Sequence, residues 1–308
     1  MSGFRVVEAG PLSLLQDGGR HGWQHLGVSS CGPLDPHAAA WANRLLGNPW
    51  GTALLEIALG GVVLECVGDC WVALCGADLP ISVDGESRPN WSRFLVRAGQ
   101  RLELGFARSG QRAYLAVPGG LRAEPVLGSV ACQVREGLGG LHGDGRPLQA
   151  GDRLGGAAGD FLRAASVPWP FVPDYRQPKA LCVLPADGVS QAVLEHFIGR
   201  PWRLSPQSDR MGARLQGEPM HLPPSEWSQG VANGAIQIPP DGQPIILQAD
   251  RQTMGGYPVL GWLHPLDAGR LAQTPAHGEL RFVVGELARA QAELRAFYRF
   301  FGRLVQAM

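Results

Sequence analysis

The chain has 308 residues, 45% of them apolar, with 27 basic against 27 acidic side chains. That length and composition suit about two soluble domains with real hydrophobic cores, and the charge balance removes the basic surface that supplies most nucleic-acid affinity. Lys179 is the single lysine, so P-loop and Schiff-base chemistry are excluded at every other position. No apolar run reaches the roughly 20 residues of a membrane span, and the first residues lack a signal-peptide core, so a cytoplasmic protein without membrane contact is expected. Six cysteines in a chain this long are expected as thiols rather than as a disulfide framework.

In chain order, the first polar cluster is Gln16-Asp17-Gly18-Gly19-Arg20-His21-Gly22, which runs on through Cys31-Gly32-Pro33-Leu34 to Asp35. Its glycines let backbone approach a ligand closely, which makes the segment a candidate binding loop feeding a helix. A strand turn with a solvated Asp-Arg pair is the plainer alternative. Asp35 as N-cap, Pro36 at the first helical position and Gly47-Asn48-Pro49 as a stop predict a helix between them. The amides at that helix start suit an anion, for which the Asp35 carboxylate competes.

Short apolar or alternating runs bounded by glycine or aspartate turns then dominate. Gly61 to Val67 and Cys70 to Cys75, joined by Gly68-Asp69, predict a β-hairpin. Further strands are expected at Leu79 to Val83, Trp91 to Val96, Gln100 to Phe106 and Arg112 to Val117, a cadence typical of sandwiches and barrels. The fold class is therefore mainly β with a few helices. Cys66, Cys70 and Cys75 miss the usual zinc spacing and alternate across strand faces, so no metal site is expected and buried thiols are the reading. Gly137 to Gly145 fails the register of a dinucleotide loop; it is a long turn or an anion-binding nest.

Four prolines in Ser166 to Pro178 mark an inter-domain connection, dividing the chain into domains 1–170 and 171–308. Beyond it, Val189 to Phe197 has the helical period, and Glu286 to Gln306 places Leu287, Ala290, Leu294, Phe297, Phe301 and Leu304 on one helical face. Two segments, Ser208 to Leu215 and Gln248 to Pro258, each set an Asp-Arg dipeptide beside glycine turns. Asp250 and Arg251 follow the apolar run Pro244-Ile245-Ile246-Leu247, at a strand end where loop residues often do chemistry. There an arginine can fix a carboxylate or phosphate while an aspartate acts as base or amide anchor; the alternative is a structural ion-pair turn. Neither H-E-x-x-H nor G-x-S-x-G occurs, so zincin and α/β-hydrolase chemistry have no support.

Six blocks of this sequence resemble one family, the KipA-like proteins, also called the allophanate hydrolase subunit 2 or biotin-dependent carboxyltransferase family. They are QDGGRHGWQHLGV (16–28), CGPLDPHAAAWANRLLGNP (31–49), AYLAVPGG (113–120), GGLHGDGRPLQAGDRL (139–154), SDRMGARLQG (208–217) and GAIQIPPDGQPIILQADRQTMGGYP (234–258). The resemblance implies two cyclophilin-like β-barrel domains in tandem, with a cleft formed between them. It also implies a role in ATP-dependent opening of 5-oxoproline to glutamate, with the KipI-like B subunit and the A subunit of a 5-oxoprolinase as partners and ATP used in the complex. Carboxyl transfer from carboxybiotin to urea or another small amide is the implied alternative, and regulation of a KipI-like kinase inhibitor is a third.

For the site, the resemblance directs attention to Asp250, Arg251 and Asp209 as catalytic groups. Gln16, Arg20, Asp35, Arg210, Gln252, Thr253 and Tyr257 are the expected substrate-binding residues. Two departures from the family pattern stand out: Gly128-Ser129-Val130-Ala131-Cys132 in place of a hydroxyl-rich stretch, and Met254 where threonine is common. No Met-Lys biotin-attachment context exists, so biotin would have to arrive on another protein.

Overall fold

The computed structural model describes residues 3–156, 162–177, 180–224 and 227–302. Pro178, Lys179, Leu304 and Gln306 therefore lie outside the described residues. Two compact units emerge. The first takes in the described residues of Met1–His21, Cys31–Arg176 and Phe300–Leu304, the second those of Gly22–Ser30 and Gln177–Arg299.

Two six-stranded antiparallel sheets build the first unit. One runs in the order Arg153–Gly155, Gly3–Ala9, Val62–Gly68, Arg101–Leu104, Ile81–Val83, Glu86–Arg88. The other runs Ala165–Ser166, Ser92–Val96, Cys70–Asp78, Ser109–Ala116, Leu54–Ala58, Leu12–Gln16. Successive side chains on a strand point to opposite faces, and Val62–Gly68 accordingly buries Val62, Leu64 and Cys66 while its alternate residues are less covered. These meet Phe4 and Val6 from the neighbouring strand and Leu55, Val72, Leu74 and Leu115 from the other sheet in one core.

The expected hairpin over 61–75 does not form. Val62–Gly68 is flanked by Gly3–Ala9 and Arg101–Leu104, and Cys70–Asp78 by Ser92–Val96 and Ser109–Ala116. With both edges of both strands occupied, Gly68-Asp69 is a corner between sheets, held where Asp69 accepts from the Ala98 amide at 2.8 Å. Cys66 and Cys70 enter the same core. Burial, then the charge of Cys66, pushes the Cys70 thiol up to about 12. All six cysteines are free.

Helix α1 (Pro36–Leu45) begins where Asp35 accepts from the Ala38 amide at 3.0 Å, satisfying one of the orphan donors of a helix start. Its buried Ala38, Ala42 and Leu45 lie on the face toward the second sheet. The proline-rich segment forms a 3-10 turn, Trp169–Phe171, and Phe171 packs on Trp41 with ring centroids 5.3 Å apart.

The second unit is an eight-stranded sheet in the order Glu279–Leu280, Trp202–Leu204, Gly212–Gln216, Ile245–Leu247, Ala235–Gln237, Val259–Leu263, Leu181–Pro185, Phe282–Val284. Its two end strands are separated in sequence by Arg281 alone, so the sheet is nearly closed on itself. Trp202, Phe197, Ile236, Ile246 and Leu260 fill its core. Helix α2 (Gln191–Ile198) starts at Ser190 and buries Leu194 and Phe197; helix α3 spans Ala268–Ala272. Helix α4 covers Leu287–Phe301. Of the face expected there, Ala290 and Phe301 are buried, whereas Leu287 in the first turn is 60% exposed.

Asp267 accepts from the Cys182 amide at 2.8 Å beside this barrel. Burial lifts its carboxyl above the ordinary 3.8, and the Cys182 amide and Arg270 only partly oppose the rise. The folded chain therefore holds this proton more readily than the unfolded one, and the group's contribution to stability, complete below pH 3.8, is lost as pH climbs through the raised value. Asp267→Asn keeps an acceptor for the Cys182 amide. Its urea midpoint is expected to gain on wild type between about pH 3 and about pH 7; an unchanging difference across that range would contradict the assignment.

Candidate functional site

In the first unit, the strand Leu12–Gln16 ends in a set of buried polar side chains. Gln16 donates from Nε2 to the Cys132 carbonyl at 3.0 Å and accepts at Oε1 from the Gly32 amide at 3.0 Å. Asp17 accepts from Gly19 N, from Ser129 Oγ at 2.6 Å and from Val130 N at 2.8 Å. Arg20, only 1% exposed, donates from Nε to the Val126 carbonyl at 2.9 Å and from Nη2 to the Ala131 carbonyl at 2.8 Å. These three side chains fix the backbone of residues 126–132.

The departure at 128–132 lies inside this cage. Ser129 links Asp17 to the Ala131 amide, and the Cys132 thiol donates to the Gly145 carbonyl at 3.0 Å. Gly139 closes the arrangement at φ +67, where a Cβ would meet the Ala131 carbonyl oxygen at 2.2 Å and Arg20 Nη2 at 2.7 Å. In the glycine-rich turn, the Gly140 and Gly145 amides donate to protein carbonyls.

Asp35 lies in a second buried set. Besides capping α1, it accepts from the Tyr175 hydroxyl at 2.9 Å, and its own amide donates to the Tyr114 oxygen at 2.7 Å. The Tyr114 hydroxyl in turn donates to Glu56 at 2.8 Å, and Glu56 also accepts from Leu34 N at 2.9 Å. Burial first, then the charges of Glu56 and Asp35, hold the Tyr114 phenol well above its ordinary value, so it remains a donor to Glu56.

In the second unit, two turns are clamped together. Both oxygens of Asp250 accept from Arg210, Oδ2 from Nε at 2.9 Å and Oδ1 from Nη2 at 2.8 Å; the Asp250 amide returns a bond to the Arg210 carbonyl at 2.9 Å. Gln248 Nε2 donates to the Asp209 carbonyl at 2.6 Å, while the Asp209 carboxylate accepts from the Met211 and Gly212 amides at 2.9 and 3.0 Å. Arg251 donates to the Val231 carbonyl at 3.1 Å and to Ser30 Oγ at 3.3 Å. The buried Thr253 accepts the Val231 amide at its carbonyl, 3.0 Å away. Met254 is exposed on a two-stranded ribbon, paired with Gly230.

Beside these turns lies a cleft of about 690 Å3 whose lining includes Asp209, Arg214, Gln237, Asp241, Gln252 and Tyr257. The fold thus brings Asp209, Gln252 and Tyr257 to one cavity, with Asp250, Arg210, Arg251 and Thr253 outside its lining. Gln16, Arg20 and Asp35 belong to the first unit. Among the described residues no group of three or more His, Cys, Asp or Glu is arranged to hold a metal ion, and no helix is long and apolar enough to cross a membrane. Gln237 is a lining residue that the sequence analysis did not single out. Its strand reads Ala-Ile-Gln, with only Ile236 directed into the barrel core, and a polar residue opposite a core position ordinarily marks a solvated face.

Residues 26–284 match the family model described as carboxyltransferase domain, subdomain A and B. The chain belongs to this carboxyltransferase-domain family. It is 38% identical to the 5-oxoprolinase C subunit of Escherichia coli, across 98% of this chain and 97% of that protein. It is 35% identical to the 5-oxoprolinase C subunit of Haemophilus influenzae, across 94% and 93%. The crystal structure of TTHA0988 shares 34% identity at a TM-score of 0.82, covering 92% of this chain and 56% of that one. The urea amidolyase of K. lactis, at 24% identity and a TM-score of 0.88, covers 99% of this chain and 20% of its own, and shows the same carboxyltransferase-domain fold.

In the Asp250–Arg210 geometry, Asp250→Ala strands a buried arginine. That change is expected to cost about 3–5 kcal/mol, and Arg210→Ala a similar amount, with the double variant less destabilised than the two singles predict together. Strict additivity in a denaturation cycle would refute the clamp. Tyr114→Phe removes one of the donors to Glu56 and the acceptor of the Asp35 amide, and is expected to cost about 1–3 kcal/mol, read from the same unfolding curves.

Proposed function

We propose that this chain is the C subunit of an ATP-dependent 5-oxoprolinase, a cytoplasmic complex that opens the lactam of 5-oxo-L-proline to L-glutamate together with an A subunit and a KipI-like B subunit. The observation that carries this reading is the nearly end-to-end likeness to the C subunits of Escherichia coli and Haemophilus influenzae. Within the chain, Asp209, Gln252 and Tyr257 face the second unit's cleft and are the groups proposed to meet substrate. Asp250, Arg210, Arg251 and Thr253 act as positioning residues, since they hold the two turns that present the others.

A triphosphate requires several convergent cationic or amide donors. The buried arginines Arg20, Arg210 and Arg251 donate instead to protein acceptors, so these three do not form such a cradle, and ATP is assigned in this reading to the partner subunits.

A second reading, carboxyl transfer between carboxybiotin and a small amide, is favoured by the carboxyltransferase family model. In that case biotin arrives on another protein, because the single lysine, Lys179, follows Pro178 rather than methionine.

Purification of the chain with its two partner subunits, followed by addition of ATP and 5-oxo-L-proline, is expected to yield glutamate and ADP together only when all three proteins are present. A stable complex that forms neither product would overturn the oxoprolinase reading. Activity that then required bicarbonate and was blocked by avidin would establish carboxyl transfer; tight binding of the KipI-like protein without either activity would establish a regulatory role.

A further inference from the structure

A second cavity, of about 490 Å3, lies wholly within the first unit, and none of its lining residues is among the groups proposed to meet or position substrate. It borders the place where two paired strands lose register. Ala113 pairs with Gly76, but the next pair is Ser109 with Asp78, so Gly110, Gln111 and Arg112 stand against Ala77 alone. Such bulges bend a sheet and recur beside functional sites. Gly76, at φ +108, admits the bulged strand, since a Cβ there would meet the Arg112 carbonyl oxygen at 2.4 Å. Trp91 lines the same space at φ 54, a conformation rare for a bulky side chain. It is held there by its Nε1 bond to the Gly76 carbonyl at 3.0 Å and by the Val167 amide on its own carbonyl at 2.8 Å. A strained residue fixed so firmly by its surroundings points to a function.

The groups around this cavity suit a positive charge. Trp169 lines it while 85% exposed, and an indole face is the best side-chain partner for a cation. Asp78 and Asp174 contribute two carboxylates against the single arginine Arg176. Arg176 is held by Asp174, donating from Nε at 3.0 Å and from Nη2 at 3.5 Å. The half-buried Asp78 accepts at Oδ1 from Asn90 Nδ2 at 3.0 Å, and no described residue donates to its Oδ2. The hydrogen bond and then the charge of Asp174 raise the Arg176 guanidinium, and the charge of Asp78 adds to them. The Asp78 carboxylate therefore acts on the space where Arg176 stands. The hydroxyls of Ser109 and Ser166, two more lining residues, have no partner among the described residues.

We infer that this cavity binds a small organic cation, an amidinium or ammonium ion on an apolar body, which donates to Asp78 Oδ2 and lays its apolar part against Trp169. The volume of about 490 Å3 falls in the range of small-molecule sites. One carboxylate in excess over the lining cation selects a single positive charge, and a charge-assisted bond to the open Asp78 oxygen fixes its place. A phosphate or carboxylate ligand would face that same oxygen and be repelled. The assignment stands independently of the oxoprolinase reading, because no residue of the second unit's cleft takes part.

The test titrates the full chain with benzamidine, and with benzamide and benzoate as its neutral and anionic counterparts, by calorimetry or ligand-detected NMR. Wild type is compared with Asp78→Asn and Trp169→Ala. Asparagine at 78 keeps an acceptor for Asn90, and Trp169 is exposed, so both variants are expected to melt close to wild type. Wild type is expected to bind benzamidine, with benzamide and benzoate about tenfold weaker or more. Asp78→Asn is expected to lose about tenfold in benzamidine affinity, the worth of a charge-assisted hydrogen bond, and Trp169→Ala about two- to fivefold. No benzamidine binding by wild type, or equal binding of benzamide or benzoate, would overturn the inference. Unchanged benzamidine affinity in either folded variant would overturn it too, since the cation would then sit elsewhere. Should Asp78→Asn fail to fold, Trp169→Ala and the two uncharged or anionic counterparts still decide.

Discussion

The site in the second unit depends on one interaction, the guanidinium fork of Arg210 on both oxygens of Asp250. It joins two turns at the ends of strands that already pair with each other, Gly212–Gln216 and Ile245–Leu247. A buried ion pair contributes little net stability, since the removal of two charges from water offsets most of their attraction. What it fixes is geometry, because the fork admits few orientations. The return bond from the Asp250 amide to the Arg210 carbonyl and the Gln248 bond to Asp209 then leave the two turns no independent freedom. Asp209, Gln252 and Tyr257 face the cleft from this rigid base.

The first unit uses the same device with different partners. Backbone carbonyls of Val126 and Ala131 receive the Arg20 fork, and Asp17 takes the Ser129 hydroxyl and Val130 amide of the same stretch. Backbone acceptors neutralise the guanidinium only by dipoles, so several must converge, and that convergence dictates the path of residues 126–132. Along Val130-Ala131-Cys132 the contacts to Gln16, Asp17 and Arg20 run through main-chain atoms, with Ser129 supplying the side-chain hydroxyl bonded to Asp17 and Cys132 a thiol bonded to the Gly145 carbonyl.

Much of the fold was legible where the signal is local. The cap, first-turn proline and stop of α1 lie within fifteen residues, and the strands at Ile81–Val83, Ser92–Val96, Arg101–Leu104 and Ser109–Ala116 show in their alternation. The segment 61–75 misleads because which strand pairs with which is not local: Val62–Gly68 finds partners at residues 3–9 and 101–104. The Asp-Arg dipeptides were legible as sites of organisation, yet their distribution of tasks was not. Within each dipeptide the aspartate and arginine look equivalent, but Asp209 lines the cleft while Asp250 turns inward to Arg210. Gln237 was illegible for a related reason, since a glutamine opposite a core isoleucine looks solvent-facing until the ribbon bearing Gly255 covers it.

The division of polar groups follows a physical logic that bears on the chemistry. Arg20, Arg210 and Arg251 are all buried, and a buried cation is tolerable only when its donors are satisfied; here protein acceptors satisfy them before any ligand arrives. The buried cations therefore serve the scaffold, and the charged groups along the cleft are Asp209, Asp241 and Arg214.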